Sequence, residues 1–137
     1  MRKISEKLNE QGNSAAQDDL TISCMSAVAL ATHDMRTAVQ FYRSLGFALT
    51  FGGETASFST LRAGTSHLNL IEQPKDKHWS WWGRVIFHVS DVEAMFARAV
   101  SNGLSVESEP RTADWGEIYF HITDPDGHQL SFAKPVP

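Results

Sequence analysis

Two stretches of the chain share one pattern of apolar and polar positions. VALATHDMRTAVQFYRSLGFALT from Val28 and VIFHVSDVEAMFARAVSNGLSVE from Val85 align without a gap at an offset of 57 residues. Val28 meets Val85, Asp34 meets Asp91, Ser44 meets Ser101 and Gly46 meets Gly103. Each stretch opens on an apolar run and passes an Asp. It then repeats apolar residues at spacings of three and four, the helix period, and reaches a Gly before the next apolar run. One helix face is Met35, Ala38, Val39, Tyr42 and Leu45, and the other is Val92, Met95, Phe96 and Ala99. Asp34 and Asp91 stand where a helix needs a side-chain acceptor for its first free N–H groups. A Ser90–Glu93 capping box is the alternative for the second helix. Gly46 and Gly103 suit left-handed C-terminal caps.

Short alternating segments follow each helix. Strands are expected over 47–52, 56–62 and 66–72, and again over 104–109, 117–123 and 128–134. GGE, RAGT, EPRTADWG and DPDG separate them as turns. Each half is thus βαβββ, which makes an α+β fold. Repeat one covers about 25–72 and repeat two about 82–134, with QPKDKH (73–78) as a polar linker. Residues 1–22 are polar and read as an N-terminal arm before a domain at 23–137.

Bulk properties narrow the class. A chain of 137 residues makes one domain, and 42% apolar with 20% charged residues fits a globular protein. A net charge of −4 argues against nucleic acid as a partner. No apolar run approaches the roughly 20 residues of a membrane span, and the start has no secretory apolar region. Cys24 is single, so intrachain disulfides and Cys-rich zinc sites are excluded. A cytoplasmic protein is expected.

HDMRTAVQFYRSLGF and WGEIYFHITDPDGHQLSF, set in two βαβββ units, resemble the vicinal oxygen chelate superfamily. That group comprises glyoxalases, bleomycin and fosfomycin resistance proteins and extradiol dioxygenases. The likeness runs from about 25 to 134, and the WG…F…DPDG piece looks most like bleomycin-resistance members. It implies a curved mixed sheet from the two repeats that encloses a cavity, commonly across a homodimer. It does not by itself imply one activity.

Alternation sorts the residues that would line such a cavity. Val28, Leu30, Leu68, Leu70, Val85, Phe87, Phe120, Ile122, Leu130 and Phe132 pack under the helices. His67, Asn69, Trp82, Arg84, His88, Tyr119, His121 and Ser131 face the other way, and Trp115 stands at the mouth. In metal-dependent relatives the resemblance places His, Glu or Gln ligands at positions matching Ala27, Asn69, Arg84 and Ser131. Alanine offers no donor and arginine repels a cation, so the usual metal is not expected. A noncanonical divalent metal on His67, His88 and His121 is the minor alternative. Arg84 reads as a clamp for an anionic group, or else as an internal ion pair or a dimer contact, with Glu117 or Glu72 as candidate partners. Trp79, Trp81 and Trp82 suit stacking on a flat ligand or packing in a dimer. Asp124 and Asp126 belong to a tight turn rather than a metal loop.

The leading expectation is a metal-free small-molecule binding protein, with a ligand that is aromatic and carries an anionic group. A lyase, isomerase or dioxygenase with His88 or His121 as general base is the second reading. A non-catalytic dimerisation or regulatory module is the third.

Overall fold

A computed structural model describes residues 20–137. The expected arm lies outside the described residues except for 20–22, which are exposed. The first unit comprises β1 (Ala27–Thr32), α1 (Met35–Ser44), β2 (Ala48–Phe51), β3 (Phe58–Ala63) and β4 (Ser66–Glu72). The second comprises β5 (Arg84–His88), α2 (Val92–Ser101), β6 (Ser105–Val106), β7 (Arg111–Thr112), β8 (Glu117–Thr123) and β9 (Gln129–Pro135). The first sheet runs β1-β4-β3-β2 and the second β5-β9-β8-β6, with β7 also on β8. In each sheet the strand before the helix pairs in parallel with the last strand, and the other pairings are antiparallel. Two mixed sheets and two helices thus carry the repeat.

The second unit departs from the expected strands in one place. The run expected over 104–109 stops at Val106, and the stretch read as a turn contains β7. Pro110 lies between the two pieces and cannot donate to a ladder, so the strand divides there.

Both helix starts follow from their Asp residues. Asp34 accepts from the Thr37 N–H and Asp91 from the Ala94 N–H, which settles the second cap in favour of Asp91. Gly46 (φ 106°) and Gly103 (φ 68°) follow the last helical turns in the left-handed region. The two units share one core. Leu30, Tyr42, Leu61, Leu68 and Leu70 come from the first, and Phe120, Ile122, Leu130 and Phe132 from the second. Burying side chains of this size contributes about 1.5–3 kcal/mol each. Phe47 meets Phe87 edge-on at 5.0 Å, and Arg98 donates to the Leu45 carbonyl at 3.1 Å.

The DPDG turn is a structural hub. Asp124 Oδ1 accepts from the N–H groups of Asp126 and His128, each at 2.9 Å, and Oδ2 accepts from the Tyr42 hydroxyl at 2.7 Å. Burial raises the Asp124 carboxyl above its ordinary range. Burial and the neighbouring Asp124 charge hold the Tyr42 phenol well above 10, so it remains the donor. His128 is buried and accepts from the Trp82 indole N–H at Nδ1 (2.8 Å), so its Nε2–H donates to the Ala31 carbonyl (2.8 Å). Trp79 stacks on the same ring. The linker between units is thereby fastened to the turn. Among the described residues no helix is long and apolar enough to cross a membrane.

Candidate functional site

Each sheet buries one face and leaves the other open. On the open face of the second sheet, cross-strand register sets three rows. Arg84, Gln129 and Thr123 form the first; Ile86, Ser131 and His121 the second; His88, Ala133 and Tyr119 the third. The middle strand carries the small side chains. Ser131 is 2% exposed and Ala133 1%, so they lie covered beneath a shallow trough whose surface is formed by the larger side chains of the flanking strands. Those strands, β5 and β8, run about 10 Å apart at two strand spacings.

Arg84 donates to Gln129 Oε1 at 2.8 Å, where Trp81 Nε1 also donates at 2.8 Å. Neither expected ion pair forms. Glu117 is engaged by the Trp115 indole N–H (2.9 Å) and by His88 Nε2 (2.8 Å), and Glu72 ends a strand of the other sheet. Hydrogen bonds from Trp115 and then His88 hold the Glu117 carboxyl below its ordinary range. Arg84 therefore has no carboxylate partner among the described residues. An arginine without one, beside aromatic rings, is suited to a carboxylate or phosphate.

The rings form a continuous array. Trp115 stacks on Tyr119 with centroids 5.8 Å apart, and Tyr119 lies 5.0 Å from His121. Arg111 sits 5.7 Å above the Tyr119 ring. His121 Nδ1 is 2.5 Å from Ser131 Oγ. Burial first, and then the Arg84 charge, lower the His121 pKa below 6.5.

Of the candidate residues, Arg84, His88, Trp115, Tyr119, His121 and Ser131 share this face. Trp82 does not follow the expected alternation. Gly83 has φ 122°, so the strand period stops at Arg84, and Trp82 turns its indole N–H to buried His128. Trp81 takes the place beside Arg84 instead. His67 and Asn69 belong to the first sheet, where Asn69 Oδ1 accepts from the Thr60 hydroxyl at 2.8 Å. His67 and His88 line a cleft of about 530 Å³ between the two units, together with Met25, Phe47, Phe87 and Met95. His121 is outside it. Among the described residues, no three His, Cys, Asp or Glu side chains are grouped to hold a metal ion. Gln129 and Arg111 were not among the expected site residues, and Glu117 was expected only as a partner of Arg84. Gln129 shares the parity of Ser131 on its strand, but a two-residue strand is too short for periodicity to reveal Arg111.

The four positions that the resemblance matches to metal ligands fit a metal poorly. Ala27 has no donor, Arg84 is cationic, Asn69 Oδ1 is taken by Thr60, and Ser131 Oγ is taken by His121.

Two βαβββ units around a shared core, with an open polar and aromatic face, define a class of protein scaffolds. Residues 25–132 match the Glyoxalase/Bleomycin resistance protein/Dioxygenase superfamily, and the chain belongs to it. Several solved structures share the fold. A glyoxalase/bleomycin resistance protein/dioxygenase from Nocardioides is 20% identical, with TM-score 0.68, over 88% of this chain and 89% of that one. A bleomycin resistance determinant encoded on the transposon Tn5 is 21% identical, with TM-score 0.69, over 82% and 98%. TioX from Micromonospora sp. ML1 is 25% identical, with TM-score 0.67, over 83% and 100%. No curated protein matches the chain.

Proposed function

We propose that the chain is a small-molecule binding protein of the bleomycin-resistance kind, working as a homodimer without the superfamily's usual metal. Its ligand is a planar aromatic molecule bearing an anionic group. The observation that carries this reading is Arg84, without a carboxylate partner among the described residues, at one end of a trough walled by Tyr119 and His121. Bleomycin itself is large and cationic, and Arg84 would oppose it. Ligand binding is expected to quench tryptophan fluorescence, because Trp115 stacks on the trough's wall and Trp81 is tied to Gln129.

Benzoate serves as the probe. Arg84→Met is expected to weaken benzoate binding by roughly tenfold or more, as charge-assisted hydrogen bonds contribute about 1.5–3 kcal/mol. Unchanged affinity would remove Arg84 from the site. Stoichiometric, tightly held metal in the purified protein would sink the metal-free reading.

The second reading is catalytic, and one contact favours it. His88 Nε2 lies 2.8 Å from Glu117 Oε2, the arrangement of a base and its orienting carboxylate, which leaves His88 Nδ1 as a lone-pair acceptor. His121 is the weaker candidate because its Nδ1 is engaged by Ser131. Activity surviving the loss of both histidines would exclude these bases.

A further inference from the structure

Ser131 occupies a position that a metal-binding relative would give to a ligand, yet here its hydroxyl meets a ring nitrogen. The residue is 2% exposed, and His121 Nδ1 at 2.5 Å is its one hydrogen-bond partner among the described residues. Two proton arrangements are available. If Nδ1 carries the proton it donates to Ser131 Oγ, and the serine's own proton is left in a buried position with no acceptor. An unsatisfied buried polar group costs about 1–3 kcal/mol. If Nδ1 is the lone pair, the hydroxyl donates to it, both groups are satisfied, and the ring proton sits on Nε2. The two nitrogens lie on opposite edges of the imidazole, so the Nε2–H edge is the one turned away from Ser131. Nε2 has no protein partner among the described residues.

We propose that Ser131 is a positioning residue that fixes His121 as its Nε2–H tautomer, and that this N–H and the Arg84 guanidinium together hold the acid group of a planar carboxylate ligand. Ser131 and His121 form the row next to the one that Arg84 begins, so the two donors flank one end of the trough. The ring of the ligand then lies against Tyr119, beside His121. Both of these groups only donate, which suits a carboxylate; the Glu107 carboxylate nearby, which acts on His121, is held by Gln129 Nε2 at 3.2 Å. This inference rests on the binding reading above and sharpens its ligand class.

The test begins with the ligand-free full chain. Long-range proton–nitrogen correlation spectra of the labelled protein at pH 7.5 report which ring nitrogen is protonated, with the His121 signals assigned by their loss in His121→Gln. The expected result is a lone pair at Nδ1 and a proton at Nε2. Ser131→Ala is expected to give a mixture of tautomers and three- to tenfold weaker benzoate binding. Ser131→Thr, which keeps the hydroxyl, is expected to restore both, and benzylamine is expected to bind more weakly than benzoate throughout. A proton on Nδ1 in the unmodified chain overturns the proposal, even if Ser131→Ala fails to fold. So does a Ser131→Ala protein with unchanged tautomer and affinity. If His121 shows the expected tautomer but benzoate, at any concentration tried, leaves fluorescence and melting unaltered, the binding reading fails, and the ligand half of this inference with it.

Discussion

His121 is disfavoured in its charged form by burial first and then by the Arg84 charge, with Glu107 opposing them and Arg111 adding to them. Its pKa in the folded chain is below 6.5, so the folded state binds fewer protons than the unfolded chain in the window beneath that value. The sign follows from linkage: stability is full above about pH 6.5 and is lost as pH falls through the lowered pKa. His121→Gln is therefore expected to flatten the fall in urea-unfolding midpoint between pH 7.5 and 5.5. An identical slope in both proteins would show that His121 does not contribute. At this scale the sequence was readable wherever a side chain's chemistry decided the matter. Asp34 and Asp91 declare the two helix caps by what they are. Where backbone geometry decided, reading failed: Gly83 resets the strand period and exchanges Trp82 for Trp81, and nothing in HWSWWG signals that exchange.

One buried polar contact joins α1 to the β8–β9 turn. Tyr42 and Asp124 are distant in sequence, but their 2.7 Å hydrogen bond couples one unit to the other. Tyr42→Phe keeps the ring in the core and removes only the donor. It is expected to lower stability by about 1–3 kcal/mol, the cost of an acceptor left buried without a partner, read as a lower urea midpoint. An unchanged midpoint would mean that water replaces the phenol. The elements themselves were largely legible, because Asp34, Asp91, Gly46 and Gly103 act through local chemistry within one turn of chain. Asp124 was legible as a turn residue, where it accepts from the Asp126 and His128 N–H groups, but not as the partner of Tyr42. That contact depends on how the two repeats pack, which no local pattern encodes. The same holds for His128, whose role in pinning the linker needs the Trp82 indole and the Ala31 carbonyl brought together from separate elements.

The molecule as a whole is asymmetric in what its two sheets leave uncovered. The first sheet's open face carries Phe51, which is 65% exposed, with Phe58 beside it, and a stripe of Ala27, Ala29 and Ala31 on the opposite edge strand. The second carries the trough, with Ile86 on its outer wall 59% exposed. Strands β1 and β5 each form one of the two edges of their sheets, and an edge strand presents unpaired backbone groups. A homodimer that sets such an edge and face against another copy would cover this apolar surface and close the trough from above. A stable interface of this kind buries roughly 1,200–2,000 Å² in total. Ile86 is the residue through which to test it, since it is exposed on a free edge yet sits in the same row as Ser131 and His121. The full chain is expected to sediment as a dimer at micromolar concentration. Ile86→Glu is expected to shift it to monomer while melting remains cooperative, because an exposed residue contributes little to the core of its own chain. Benzoate affinity should fall with the dimer, since a trough open to water on its upper side gives an aromatic ring half the contact. A monomeric parent chain that binds benzoate as tightly as its carboxylate chemistry allows would show that one copy supplies the whole site.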